Sequence, residues 1–124
     1  MPEVSCEASK IQQVLFNLIK NGTQAMSDAK IPLEKRQFNI DLFTKEEMAI
    51  IRIADSGPGI PEGVKKRIFE PFFTTKAVGT GTGLGLFVAY FIVREIHNGD
   101  ISVDSIPGQG TTFTIKLPLQ PPQH

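Results

Sequence analysis

The strongest constraint on the fold is a change in the spacing of apolar residues near residue 30. Across residues 9–26, apolar side chains recur every three or four positions, the spacing of an amphipathic helix. Across residues 37–43 and 48–54 they alternate instead, which predicts two β-strands joined by a polar turn at residues 45–47. Pro32 prevents a simple continuation of the helix into this region. The first half of the chain is therefore predicted to be a helix followed by a strand pair.

The second half contains the same two kinds of pattern. A short helix at residues 64–68 and a loop at 72–82 precede a helix at 83–97, which is apolar almost all round and therefore predicted to be buried. Strands are predicted at 101–103 and 112–117. These elements indicate an α/β fold, a two-layer sandwich with a mixed, mostly antiparallel sheet packed against about three helices. We expect one domain at residues 1–118 and a disordered, Pro-rich tail at 119–124.

Composition excludes several classes of function. The 13 basic and 13 acidic residues give a formal net charge of zero, so the chain has no electrostatic footprint for nucleic acid or an anionic membrane. The single cysteine, Cys6, cannot form an internal disulfide and suits a reducing, cytoplasmic compartment. The longest apolar run, residues 84–93, is far shorter than the roughly 20 residues of a spanning helix, and no signal peptide is visible.

Two asparagines stand four positions apart in the first predicted helix. Asn17 and Asn21 therefore share one helix face, and an amide oxygen is a neutral, hard ligand that suits Mg²⁺. Asparagine is a mediocre helix former, so two of them among Leu, Ile and Val need a reason. Without further context, solvated or capping residues explain the pair better than a metal site does.

Two glycine-rich segments follow. In DSGPGI, Asp55 ends a predicted strand, and Gly57 and Gly59 allow close approach of backbone to a ligand, although an ordinary turn has the same composition. In GTGTGLGL, residues 79–86, the glycines precede a helix whose free N–H groups could hold an anion, although a flexible loop is the simpler explanation.

The glycine run does not match the commoner nucleotide motifs. The third glycine of G-x-G-x-x-G would fall on Leu84 or Leu86, which excludes the dinucleotide fingerprint. The chain contains no Gly-Lys pair, which excludes a P-loop, and neither HRD nor DFG, which excludes a Ser/Thr/Tyr-type protein kinase.

In sequence order, NLIKNGTQAM, DSGPGI, IFEPFFTTK and GTGLGL resemble the four boxes of histidine kinase catalytic domains, and SIPGQGTTFTIKLP resembles their final hairpin. That family shares its Bergerat ATP-binding fold with type II topoisomerases, ninety-kilodalton heat-shock chaperones and mismatch-repair ATPases. The resemblance covers Glu7 to Pro118. It implies Mg²⁺ at Asn21 and an adenine contact at Asp55. The full set of ATP-binding residues that it implies is Asn17, Lys20, Asn21, Asp55, Gly57, Gly59, Ile60, Phe72, Phe73, Thr75, Lys76, Gly81, Thr82, Gly83, Leu84 and Gly85.

Four positions qualify the resemblance. Many relatives carry a basic residue three positions after the Mg²⁺ asparagine, where this chain has Gln24. Lys20 is a possible substitute, and a side chain that simply faces solvent is the alternative. Lys76 lies in the predicted loop at 72–82, which the resemblance identifies as the ATP lid; it could reach a phosphate, and a solvated loop lysine explains it equally well. The chaperone and topoisomerase branches place a water-activating glutamate where this chain has Asn17, which cannot take a proton from water. The resemblance therefore implies a domain that holds ATP for an outside nucleophile.

The phosphorylated histidine of the family is missing from this chain. His97 stands at a predicted helix end before Asn98, without the acidic residue that follows the family's histidine, and His124 is in the tail. The resemblance implies a separate histidine-bearing dimerisation domain and a response regulator as partners, with no catalytic residue in this segment, no nucleic acid and no membrane insertion. Two alternatives remain: a nucleotide-binding regulatory module without catalysis, which Gln24 permits, and a self-sufficient ATPase, which Asn17 disfavours.

Overall fold

The computed structural model describes residues 8–70 and 85–119. Helix α1 spans Ala8–Asp28, and a 3-10 turn, Leu33–Lys35, leads into the strands. The remaining elements are β1 (Phe38–Lys45), β2 (Met48–Asp55), α2 (Glu62–Lys65), α3 (Gly85–Phe91), a π-helical turn (Ile92–Ile96), β3 (Asp100–Ser105) and β4 (Thr111–Pro118). The predicted loop at 72–82 lies outside the described residues.

The four strands form one sheet in the order β1-β2-β4-β3, and every described neighbouring pair is antiparallel. A two-residue turn joins β1 to β2, with Lys45 opposite Met48. Glu46 and Glu47 in that turn have φ of +53° and +65°. Positive φ at both central positions gives the backbone twist of a tight two-residue hairpin. Two glutamates adopt this conformation here, although they lack the conformational freedom of glycine.

The core lies between the helices and one face of the sheet. Val14 and Leu18 of α1 are buried against Ile53 of β2 and Ile115 of β4, and Val93 completes the centre from the π-helical turn. Alternation along the strands turns every second side chain away from this core. The predicted two-layer α/β sandwich is confirmed.

One prediction about burial was wrong, and one strand face is more exposed than its apolar pattern suggests. The helix predicted at 83–97 was expected to be buried on all sides, but Phe91 is 45% exposed and Ile96 is 39% exposed, because a two-layer sandwich covers only one side of each helix. Ile40 and Leu42 of β1 share the helix-facing side with Phe38, yet both are 55% exposed. Strand β1 is the sheet edge, and no described helix has more than marginal contact with it.

Element ends also differ from the sequence-based ranges. Helix α2 begins directly after Pro61 and is a single turn that ends at Lys65, whereas a helix at 64–68 was predicted. At the chain end, the Leu119 N–H donates to the Glu47 carbonyl at 3.1 Å, and Leu119 packs against the core. Residues 120–124 are not described, so the tail boundary stays a prediction. Within the described residues, no helix combines the length and apolar character needed to cross a membrane.

Candidate nucleotide-binding site

A half-buried carboxylate stands at the end of β2. Asp55 Oδ1 accepts a hydrogen bond from the Gly57 N–H at 2.8 Å, and the Thr111 N–H also bonds to this side chain. Burial raises the pKa of Asp55 above its ordinary value of 3.8, and the two N–H groups only partly oppose that effect. These two N–H groups restrain the carboxyl group.

Helix α1 approaches this carboxylate at a glycine. A Cβ atom on Gly22 would lie 2.7 Å from Phe38 Cε1 and 3.1 Å from Asp55 Oδ2, so a side chain there would meet both neighbours. Asn21 is the preceding residue; it is half-buried, and its side chain forms no hydrogen bond with the described residues. The predicted metal ligand is therefore the neighbour in sequence of the residue that approaches the predicted adenine acceptor.

The same helix contacts the start of α3. Asn17 Nδ2 donates to the Gly85 carbonyl at 3.1 Å, a contact across 68 positions of sequence. With a rise of ~1.5 Å per residue, Asn17 lies roughly 8 Å along α1 from the approach at Gly22. Helix α1 thus connects the carboxylate of the DSGPGI segment to the end of the glycine run.

The loop at residues 55–60 packs against the β3–β4 hairpin. Gly59 has φ of +80°, and a Cβ there would lie 2.5 Å from the Ile106 carbonyl oxygen, so the position requires glycine on both counts. The Gly108 N–H donates to the Pro58 carbonyl at 2.6 Å. The Ile60 N–H donates to Ser105 Oγ at 2.7 Å. Backbone contacts therefore hold the loop from the side opposite α1.

A serine joins the loop to the start of β1. Ser56 Oγ accepts from the Gln37 N–H at 2.9 Å and donates to the Lys35 carbonyl at 2.8 Å. The Ser56 N–H completes the junction by donating to the Gln37 carbonyl at 3.2 Å. Segments on three sides, α1, the residues before β1 and the terminal hairpin, thus hold the DSGPGI backbone.

The structure brings together seven of the predicted site residues: Asn17, Asn21, Asp55, Gly57, Gly59, Ile60 and Gly85. Lys20 lies exposed on α1, which favours the solvated alternative. Gln24 Nε2 donates to Asp28 Oδ1 at 2.9 Å, so that amide is engaged along its own helix. The other predicted residues lie outside the described part: Phe72, Phe73, Thr75, Lys76, Gly81, Thr82, Gly83 and Leu84.

Sequence reasoning missed four residues that shape this region: Gly22, Phe38, Ser105 and Thr111. A glycine in the middle of a helix is unfavourable, so Gly22 was a usable signal of close approach. Phe38 was predicted only as one of the alternating apolar residues of its strand. Ser105 and Thr111 lie in the SIPGQGTTFTIKLP segment, but their contacts could not be predicted from it, because the loop that they meet is 45 and 56 positions earlier.

Other features do not offer a competing site. A depression of about 370 Å³ opens at the end of the sheet, beside Asn39, Ala54 and Thr112. Asp55, Ser105 and Thr111 also line it, so it adjoins the region described above. It does not include Asn21, and it has no contact with α1. Among the described residues, no group of three or more His, Cys, Asp or Glu could hold a metal ion.

The buried His97 belongs to the framework. The ring Nδ1 of His97 lies 2.8 Å from the Ile92 carbonyl oxygen, and the backbone N–H of His97 donates to the same carbonyl at 3.2 Å. The side chain is 7% exposed. An imidazole held in this way at a helix end is not available as a phosphate acceptor.

The chain is similar to proteins of a known family. The family model described as histidine kinase-, DNA gyrase B-, and HSP90-like ATPase matches residues 6–121. The chain is 41% identical over 119 residues to the signal transduction histidine-protein kinase AtoS of Escherichia coli, covering 95% of this chain and 18% of AtoS. It is 39% identical over 123 residues to sporulation kinase E of Bacillus subtilis, covering 97% of this chain and 15% of that kinase.

Solved structures show the same relationship. The nucleotide-free catalytic domain of the histidine kinase ThkA superimposes with a TM-score of 0.77 at 33% identity, covering 94% of this chain and 71% of that one. The mycobacterial sensor histidine kinase MprB gives 0.76 at 28% identity, covering 93% and 74%. The chain spans less than a fifth of the length of the curated relatives above. It belongs to the histidine kinase-, DNA gyrase B-, and HSP90-like ATPase family, as an ATP-binding domain of the histidine kinase type.

Proposed function

We propose that this domain holds Mg²⁺-ATP and presents the γ-phosphate to a histidine on a separate dimerisation domain of its parent protein. The observation that carries the proposal is the close approach of Gly22, the residue after Asn21, to Asp55, with Asn17 joined to the start of α3. Bound Mg²⁺ would supply charge neutralisation for the phosphates.

Asp55 selects the base. Its carboxylate is held by the N–H groups of Gly57 and Thr111, so its orientation is set before a ligand arrives. A carboxylate accepts hydrogen bonds only, which suits the exocyclic amine of adenine and not the carbonyl at the same place in guanine. A mismatched, buried acceptor pair costs roughly ten- to a hundredfold in affinity.

Asn21 provides the metal ligand. Its side chain is half-buried and makes no bond to described residues, so its amide oxygen can coordinate a hard cation without first breaking an internal contact. The glycine at position 22 fits the same role, since a larger residue would fill the space between α1 and the carboxylate. The residues present therefore fit Mg²⁺-ATP.

The identity of residue 17 distinguishes a kinase domain from an ATPase domain. An amide is not a base, and Asn17 Nδ2 is engaged with the Gly85 carbonyl. Nothing at this position activates water, so the nucleophile must come from outside. The buried His97 does not serve, and the relatives are longer sensor kinases. We infer a histidine-bearing domain as acceptor, a response regulator downstream and a cytoplasmic location, where ATP is present.

A regulatory module without catalysis is the second candidate. The observation in its favour is Gln24, which is bonded to Asp28 and supplies no positive charge. Such a module would bind nucleotide but would not support transfer to any histidine. The distinction is therefore a matter of phosphate transfer and not of binding.

The test is incubation of the purified chain with γ-labelled ATP, with and without the parent's histidine-bearing domain. We expect ATP binding by the chain alone, no self-labelling, little release of phosphate, and label on the added domain. Asn21→Ala should abolish labelling, whereas Gln12→Ala, an exposed substitution on the same helix, should not. Binding without transfer in the presence of the partner supports the regulatory module. Rapid phosphate release by the isolated chain contradicts the interpretation of Asn17.

A further inference from the structure

One serine hydroxyl at the end of β3 contacts both sides of the junction between the DSGPGI loop and the terminal hairpin. Ser105 Oγ accepts the Ile60 N–H at 2.7 Å and donates to the Gly110 carbonyl at 3.0 Å. It also lies 3.1 Å from Thr111 Oγ1. A hydroxyl has one hydrogen to donate. Because the Ser105 hydrogen points to Gly110, the Thr111 hydroxyl is the donor in the third contact.

These contacts link the two ends of the loop. Ile60 is the last residue of the loop, and Asp55 is the first. Thr111 holds the Asp55 side chain through its N–H, and a Cβ on Gly110 would lie only 2.3 Å from the Asp55 carbonyl oxygen. Through Gly110 and Thr111, Ser105 therefore connects the end of the loop to the residue at its beginning.

We propose that Ser105 is a positioning residue for recognition of the nucleotide base, acting through the Ile60 N–H and the Gly110–Thr111 pair. The inference rests on the proposed binding of ATP at Asp55. Ser105 need not touch the nucleotide. It holds the loop so that the Asp55 carboxylate meets the base at a fixed distance and angle.

We expect Ser105→Ala to lower the ratio of ATP affinity to GTP affinity. A general loss of folding stability would not change that ratio. Ser105→Ala leaves the Ile60 N–H and the Gly110 carbonyl without their partner, so the loop can move relative to the hairpin. We expect ATP affinity to fall about three- to tenfold, with a much smaller change for GTP, which does not use the Asp55 contact. The ratio of ATP to GTP affinity therefore falls. A residue with only a structural role would weaken both nucleotides alike.

The experiment is titration calorimetry of the full chain with Mg²⁺-ATP and Mg²⁺-GTP, at a temperature where each variant is folded by circular dichroism. Ser105→Thr keeps the hydroxyl in a strand that tolerates β-branching, so it should restore the affinity ratio. Ser102→Ala makes the same chemical change in the same strand at an exposed position and should leave the ratio unchanged. Hydrogen exchange at the Ile60 amide should accelerate in Ser105→Ala only.

Each outcome decides the proposal. A reduced ratio in Ser105→Ala, restored by Thr and absent in Ser102→Ala, supports it. An unchanged ratio, or equal loss of both nucleotides without rescue by Thr, overturns it. If Ser105→Ala does not fold, Ser105→Cys retains the size of the group with weaker hydrogen bonds, and an unchanged ratio in that variant overturns the proposal. Failure of the unmodified chain to bind ATP is a distinct result, which removes the proposed function and this inference with it.

Discussion

The close approach of the DSGPGI loop to the terminal hairpin can be tested at Gly59. Gly59→Ala places a Cβ 2.5 Å from the Ile106 carbonyl oxygen and 2.9 Å from the Ile106 carbonyl carbon and Pro107 Cα. All three neighbours are backbone atoms, so no side-chain rotation can relieve the contact. The new methyl group can be accommodated only if the loop and the hairpin move apart.

Two effects add at this position. A non-glycine residue in the left-handed region costs about 1–2 kcal/mol, and φ is +80° here. Overpacking against backbone costs about 1–3 kcal/mol more. We expect Gly59→Ala to lower the free energy of unfolding by roughly 2–5 kcal/mol in total. ATP affinity should fall as well, because the loop carries Asp55.

Gly108→Ala is the matched control. Its φ of +84° is nearly the same, but a Cβ there meets nothing within 4 Å. It should therefore cost only the backbone contribution, about 1–2 kcal/mol, and leave ATP affinity close to that of the unmodified chain. Urea unfolding followed by circular dichroism is the suitable assay, since the chain has no Trp and one Tyr. Equal losses of stability in the two variants would refute the argument that the approach at Gly59 is rigid.

Three further predictions concern α1 and the carboxylate. Asn21→Ala should weaken Mg²⁺-ATP binding more than metal-free ATP binding, without loss of helix stability because Ala is the better helix former; calorimetry with and without Mg²⁺ checks this, and an unchanged metal dependence contradicts it. Burial raises the pKa of Asp55 in the folded state, so protonation of this carboxyl group favours folding. This contribution to the free energy of unfolding is present below pH 3.8 and is lost as the pH rises through the raised pKa. ATP affinity should change in the opposite direction and fall on acidification through the same range, and both trends should disappear in Asp55→Asn. Gly22→Ala should change stability by less than about 1 kcal/mol, because a gain in helix propensity offsets contact with the movable Phe38 ring. Gly63→Ala in α2 is the control, because a Cβ there meets nothing within 4 Å. Thermal unfolding of that variant measures the gain from helix propensity alone.

Much of the fold could be predicted because it depends on local spacing. Helix α1 and strands β1 to β4 were placed to within a few residues, since apolar periodicity depends only on near neighbours in the chain. The exposure of Ile40 and Phe91 could not be predicted in this way. An apolar residue at the right register is buried only if another element covers it, and coverage depends on where the helices lie across the sheet.

The sequence by itself determined the order of elements, the family and the chemical type of the site. The motifs that contain Asn21, Asp55 and the glycines can be recognised from the order of residues alone, because each motif is local. Only the tertiary structure decided which residues meet: Gly22 against Asp55, Asn17 against Gly85, and Ser105 between Ile60 and Gly110. Most of these contacts join segments more than 30 positions apart. No local pattern encodes such contacts, since they arise when helix packing and strand register bring the ends of separate elements together.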